Sequence, residues 1–177
     1  WVAFNGSAVT IFDWNEVYWA KIISDSDEAV VVMDAAPTER LMVGEGSKLV
    51  LKANNAIQLP RKLELAGELT VQGAMLPTLD YVHGAGKLVL DTGDITELPI
   101  TSNVFPIDES VAVEIKANST LRLAQSVNFT SKTTNLSGFT GAGTLEIKDI
   151  TGSSRHFVMP EPAKTFSSEL SLTLNTI

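Results

Sequence analysis

One four-residue unit, rewritten along the chain, constrains this sequence more than any other feature. It stands as Lys48-Leu49-Val50-Leu51 and returns as Lys62-Leu63-Glu64-Leu65, Glu68-Leu69-Thr70-Val71 and Lys87-Leu88-Val89-Leu90. Later copies are Thr120-Leu121-Arg122-Leu123, Thr144-Leu145-Glu146-Ile147 and Glu169-Leu170-Ser171-Leu172. Each has a polar residue, Leu, any residue, then an aliphatic. Period-two alternation puts both apolar side chains on one side of an extended chain, so each copy predicts a short, half-buried strand. Three copies follow a glycine pair, Gly44-Glu45-Gly46, Gly84-Ala85-Gly86 and Gly141-Ala142-Gly143. A strand follows each pair, so these are not phosphate loops, which need a helix N-terminus; they suit sharp corners with φ > 0.

The spacing of the copies sets the architecture. They begin near residues 48, 68, 87, 111 or 120, 144 and 169. Where the register is clear the intervals are roughly 20 to 25 residues, enough for the two or three short strands and corners of one solenoid coil. Coils stacked at about 4.8 Å bring the inward Leu, Val and Ile of successive copies into continuous aliphatic ladders. The expectation is an all-β chain, a parallel β-helix (β-solenoid). A β-sandwich or jelly roll, which also strings together many short strands, is the alternative. Pro99 and Pro106 argue against central ladder positions in their segments. The polar stretch 131–138 predicts a loop, and 148–162 an irregular segment.

Composition limits the function. The 177 residues include 44% hydrophobic ones, ample for a core, and carry a net charge of −8. That balance argues against a nucleic-acid footprint and against docking on anionic lipid. No apolar run reaches membrane-spanning length. The chain has no cysteine, which excludes a disulfide scaffold, a thiol nucleophile and a cysteine-ligated metal. A surface protein that matures without mispaired thiols fits this composition. The opening Trp1-Val2-Ala3-Phe4 has neither an initiator Met nor a basic leader region, and reads as the interior of a longer chain or a processed product.

Residues 1–36 read as an N-terminal cap and 37–177 as the coils. Ala8–Phe12 predicts a strand. Asp13, with Glu16 three residues on, makes a capping-box-like helix start, and the helix would run from about Trp14 to Ile23 with Trp14, Val17, Tyr18 and Ile22 along one stripe. Ala29-Val30-Val31-Val32-Met33 then predicts a strand buried on both sides. From Val9 to Met33 this order resembles the entry of right-handed parallel β-helix proteins, in which a helix caps the open N-terminal end. The Gly-x-Gly plus Leu-x-Leu units at 44–51, 84–90 and 141–147 also resemble the repeats of autotransporter passengers and related adhesins. The long 91–143 interval and the proline-containing 99–106 and 159–162 segments depart from that pattern.

Candidate sites are few. Asp25-Ser26-Asp27-Glu28 has the spacing of a calcium loop but lacks the glycine and distal Glu of an EF-hand, so a solvated turn is the simpler reading. Its metal candidates are Asp25, Asp27 and Glu28. Asp91 and Asp94, with Glu97, recur at three-residue spacing after a strand. β-Helix polysaccharide hydrolases and lyases set carboxylates on adjacent coils, but turn chemistry alone explains Asp91-Thr92-Gly93-Asp94. Trp14, Tyr18 and Trp19, near Trp1 and Phe12, offer flat faces for sugar stacking, or else the apolar side of the cap. His83 and His156, the latter beside Arg155, both sit near turns. The Asn-x-Ser/Thr positions are Asn5, Asn118, Asn128 and Asn135.

These features point to a non-enzymatic, extracellular or cell-surface module for adhesion or self-assembly. No cofactor is expected. Its partners would be other copies of itself, further coils of the same chain, or host or matrix glycans. A carbohydrate-active β-helix enzyme or glycan-binding domain is one alternative reading, and a phage or viral tail-fibre segment another.

Overall fold

The computed structural model describes residues 19–22, 30–33, 40–52, 57–73, 75–76, 79–100, 106–125, 133–136, 138–148, 156–158 and 171–175. Every strand pair among them is parallel, and they stack into a β-solenoid. That arrangement replaces the β-sandwich alternative, whose sheets are antiparallel. No helix occurs among the described residues.

Three strand rows make up the solenoid. The first is the sheet β1 (Trp19–Ile22), β3 (Arg40–Val43), β6 (Lys62–Leu65) and β9 (Tyr81–His83). The second holds six strands: β2 (Val30–Met33), β4 (Lys48–Lys52), β7 (Glu68–Gln72), β10 (Lys87–Asp91), β12 (Ala112–Ile115) and β15 (Phe139–Gly141). The third comprises β11 (Ile95–Ile100), β13 (Thr120–Gln125), β16 (Thr144–Lys148) and β18 (Ser171–Asn175). Two short pairs complete the set, β5 (Ile57–Gln58) with β8 (Met75–Leu76) and β14 (Thr133–Asn135) with β17 (His156–Val158). In coil order β5 and β8 follow second-row strands, as β11 does.

The repeated unit works because its register is kept from coil to coil. In the first row Leu41 aligns with Leu63 and Val82, and an isolated bridge carries the row on to Ile107. In the second, Leu49, Leu69, Leu88, Val113 and Phe139 align, beside Leu51, Val71, Leu90 and Ile115. In the third, Leu121 aligns with Leu145, and Leu98 with Leu123. All of these side chains are buried. Each contributes about 1.5–3 kcal/mol on leaving water, against about 0–1 kcal/mol for an exposed ion pair. The aliphatic ladders, not the charges, therefore hold the stack.

The corners keep the pairing continuous. Between the first and second rows, Glu68 N donates to Ser47 O (2.9 Å), Lys87 N to Gly67 O (2.9 Å) and Ala112 N to Gly86 O (3.0 Å). Gly84 sits there at φ 112°, and a Cβ on it would overlap the Leu65 carbonyl oxygen. Between the second and third rows, the buried Ser119 Oγ accepts from both Thr92 N and Gly93 N at 3.0 Å, stapling one corner onto the next.

Several expectations change. The last residues of the expected 14–23 helix, Trp19–Ile22, are strand β1; residues 14–18 lie outside the described set. Trp19-Ala20-Lys21-Ile22 fits alternation as well as a helical stripe, and alignment of Ala20 with Leu41 and Ile22 with Val43 decides for the strand. The expected loop at 131–138 contains β14, and the irregular stretch at 148–162 contains β17. A parallel partner there outweighs weak local propensity. The last repeat is Ser171-Leu172-Thr173-Leu174, two residues later than read, with Leu172 opposite Leu145. Pro99 does lie in a strand, but β11 is the outer strand of its sheet, where a missing N–H is tolerated. Finally, the glycine pairs mark two different corners. Those at 44–46 and 84–86 turn the first row into the second, whereas 141–143 turns the second into the third.

Candidate functional site

The first row carries a cluster of polar side chains on adjacent coils. Alternation buries Leu41, Val43, Leu63, Leu65 and Val82, and leaves Arg40 and Met42, Lys62 and Glu64, and Tyr81 and His83 facing outward. Parallel register then stacks Met42, Glu64 and His83 in one line, with Arg40, Lys62 and Tyr81 in the next. Arg40 Nη2 lies 3.3 Å from Glu64 Oε1 and donates to Tyr81 Oη, also at 3.3 Å. The Tyr81 hydroxyl donates in turn to Glu64 Oε1 at 3.5 Å. The Tyr81 and His83 rings meet edge to face, centroids 4.4 Å apart and planes at 68°.

His83 ties this cluster to the next coil. Its Nδ1 lies 3.2 Å from Asp108 Oδ2. The Asp108 carboxyl is held below its ordinary range, first by the Ser110 amide and hydroxyl and then by His83. The Ser110 hydroxyl is shared between Asp108 Oδ1 (2.8 Å) and the Gly84 carbonyl (2.9 Å). Beside the row an open cleft of about 430 Å³ crosses three coils. Met42, Gly44, Glu45, Glu64, Ala66 and His83 line it.

Charges on the other two rows close on each other. Lys87 Nζ stands 2.5 Å from Glu114 Oε2 and 3.8 Å from Glu68 Oε2, and Lys116 pairs with Glu114. These bonds lower the Glu114 carboxyl, Lys116 contributing most, and Glu114 raises the Lys116 ammonium. On the third row Arg122 Nε lies 2.8 Å from Glu146 Oε2, and its Nη1 3.5 Å from Glu97 Oε2.

The residues singled out in the sequence are dispersed. Trp1, Phe12, Trp14, Tyr18, Asp25, Asp27, Glu28, Asn5, Asn128 and Arg155 lie outside the described residues. Trp19 opens β1 opposite Arg40, His156 opens β17, and Asn135 ends β14. Asn118 is exposed at a corner with φ 65°. Asp91 ends β10 and accepts from Gln72 Nε2 (3.2 Å). Asp94 accepts from the Ile95 amide (2.7 Å), and its carbonyl accepts from Thr92 Oγ1 and Thr120 N. Both aspartates thus serve the second-to-third corner, away from His83 and Asp108. Of the first-row cluster, the sequence marks only His83, a histidine beside a turn; Asp108 carries no local signal. Arg40, Glu64 and Tyr81 went unmarked, although Met42 and Glu64 occupy the same middle position of their Leu-x-aliphatic units.

Among the described residues, no group of three or more His, Cys, Asp or Glu is placed to hold a metal ion. Comparison of the chain with protein-family models, curated proteins and solved structures found no match in any of the three.

Proposed function

We propose that this chain is a structural and adhesive module of the cell surface or extracellular space, a β-solenoid segment that presents its sides for contact or joins further coils. One observation carries this reading. The described strands pair only in parallel, so an outer strand of the stack offers the same N–H and C=O pattern that joins the coils inside it. A second copy of the chain, or more coils of the same one, satisfies that pattern with no new chemistry. The absence of cysteine and the acidic balance are compatible with maturation outside the cell.

A second reading, a carbohydrate-cleaving solenoid, draws on Glu64, His83 and Asp108 on successive coils. Size-exclusion chromatography with light scattering and negative-stain imaging, over a range of concentrations, separates the two. End-to-end oligomers or fibres are the expected result. A particle that stays monomeric throughout and cleaves a polysaccharide, with cleavage lost in Glu64→Gln or Asp108→Asn, would overturn the structural reading.

A further inference from the structure

The first-row cleft has a chemistry of its own. Its lining includes the carboxylates of Glu45 and Glu64 and no Lys or Arg, so an anionic ligand meets repulsion. Glu64 is not an idle anion either. Arg40 compensates its charge and the Tyr81 hydroxyl fixes its orientation. A second cation would compete with Arg40, whereas a hydroxyl donor needs only the acceptor positions still free on the carboxylate. The remaining surface is apolar or flat: the Met42 thioether, the Ala66 methyl and the His83 ring, whose Nδ1 Asp108 already engages. Gly44 and Gly84 add backbone to the wall. The volume of about 430 Å³ lies within the range of small-ligand pockets.

Hydroxyl donors arranged around a compact ring with apolar faces describe a neutral sugar. We propose that this cleft binds a neutral hexose residue of a glycan chain. The proposal rests on the adhesive reading above and supplies its ligand class. Because the cleft crosses coils along the stack, the glycan runs along the solenoid axis.

The test uses the whole chain. An array of neutral hexose oligosaccharides is probed beside uronic-acid polymers and amino-sugar oligomers. The tightest-binding neutral oligosaccharide is then titrated while backbone amides are followed by NMR. Saturable binding is expected, with shifts centred on residues 42–45, 64–66 and 83–84. Ala66→Gln extends a side chain over the cleft from an exposed corner, and His83→Ala removes the ring; each should weaken binding by roughly tenfold or more. Lys116→Ala, on the second row, should leave it unchanged. Binding confined to acidic or amino sugars, no glycan binding at all, or neutral binding indifferent to Ala66→Gln would each overturn the proposal. If oligomers or fibres still form in those cases, the structural reading survives and only the ligand site is lost.

Discussion

Thr96→Val should stabilise this protein. Thr96 is 1% exposed and aligns with Leu121 and Leu145 in a third-row core ladder, yet its Oγ1 has no hydrogen-bond partner among the described residues. Burying a hydroxyl unpaired costs about 1–3 kcal/mol on the scale of protein mutational data. Valine removes that cost and adds a buried methyl worth about 0.8 kcal/mol. Both side chains are β-branched and share the same stiff χ1, so no rotamer entropy is lost. Crowding by the methyl offsets part of the gain, leaving a net of about 1–2 kcal/mol. For a chain of this length that corresponds to a rise in Tm of about 2–8 °C. Urea unfolding followed by circular dichroism should show a higher midpoint at unchanged m-value. Thr96→Ser, which keeps the hydroxyl and loses the methyl, should lower the midpoint by about 1 kcal/mol equivalent. A midpoint unchanged or lowered by valine would refute the reasoning, since the hydroxyl would then be satisfied or outside the core.

Gly84→Ala should destabilise by about 2 kcal/mol or more, because φ 112° is strained for any side chain and the new Cβ would overlap the Leu65 carbonyl. Asn118→Gly, at φ 65° on an exposed corner, should change stability by less than about 1 kcal/mol; equal losses at the two sites in denaturant titrations would contradict the corner assignment. The Lys87–Glu114–Lys116 chain should also give stability two pH limbs. Glu114 titrates below its ordinary 4.5 in the folded state, so its contribution is full above that value and is lost as pH falls through the folded one. Lys116 titrates above its ordinary 10.5, so its contribution is full below that value and is lost as pH rises through the folded one. Glu114→Gln should flatten both limbs of a midpoint-versus-pH curve, and an acid limb identical to that of the unaltered protein would count against the pairing.

The core was legible in the sequence because its demands are local. Leu49 and Leu51, or Leu63 and Leu65, declare a half-buried strand within four residues, and the coil architecture follows from the spacing of such units. Which row a unit joins is not local. Lys87–Leu90 and Thr120–Leu123 read alike, yet one lies in the second row and the other in the third. The difference is fixed by corners and insertions between them. Strands β14 and β17 were hidden for the related reason that Thr133-Thr134-Asn135 becomes a strand only through its pairing with residues 156–158. The outward cluster was harder still. Arg40 and Tyr81 are 41 positions apart, and His83 and Asp108 are 25 apart. Partner spacing across the solenoid varies from 18 residues, at Val30 and Lys48, to 27, at Thr144 and Ser171, so no constant period projects these residues onto one face.

The outward side chains of the three rows differ in what they do for the stack. Inward positions answer to the core, so only outward positions are free to take on other tasks. On the second and third rows, Lys87 pairs with Glu114, and Arg122 with Glu97 and Glu146, across coils, while Lys116 closes on Glu114 within one coil. The first row differs at the joint between β9 and the following coil, where the pairing among the described residues is the single bridge of Val82 and Ile107. There His83 with Asp108, and Ser110 with Gly84, supplement the backbone pairing. Just beside that joint, the strand edges and corners leave a cleft whose main carboxylate is fixed in place by Arg40 and Tyr81. A preoriented acceptor, the His83 ring and a concave wall thus coincide on the first row, where the same side chains that tie one coil to the next also shape an outward-facing surface.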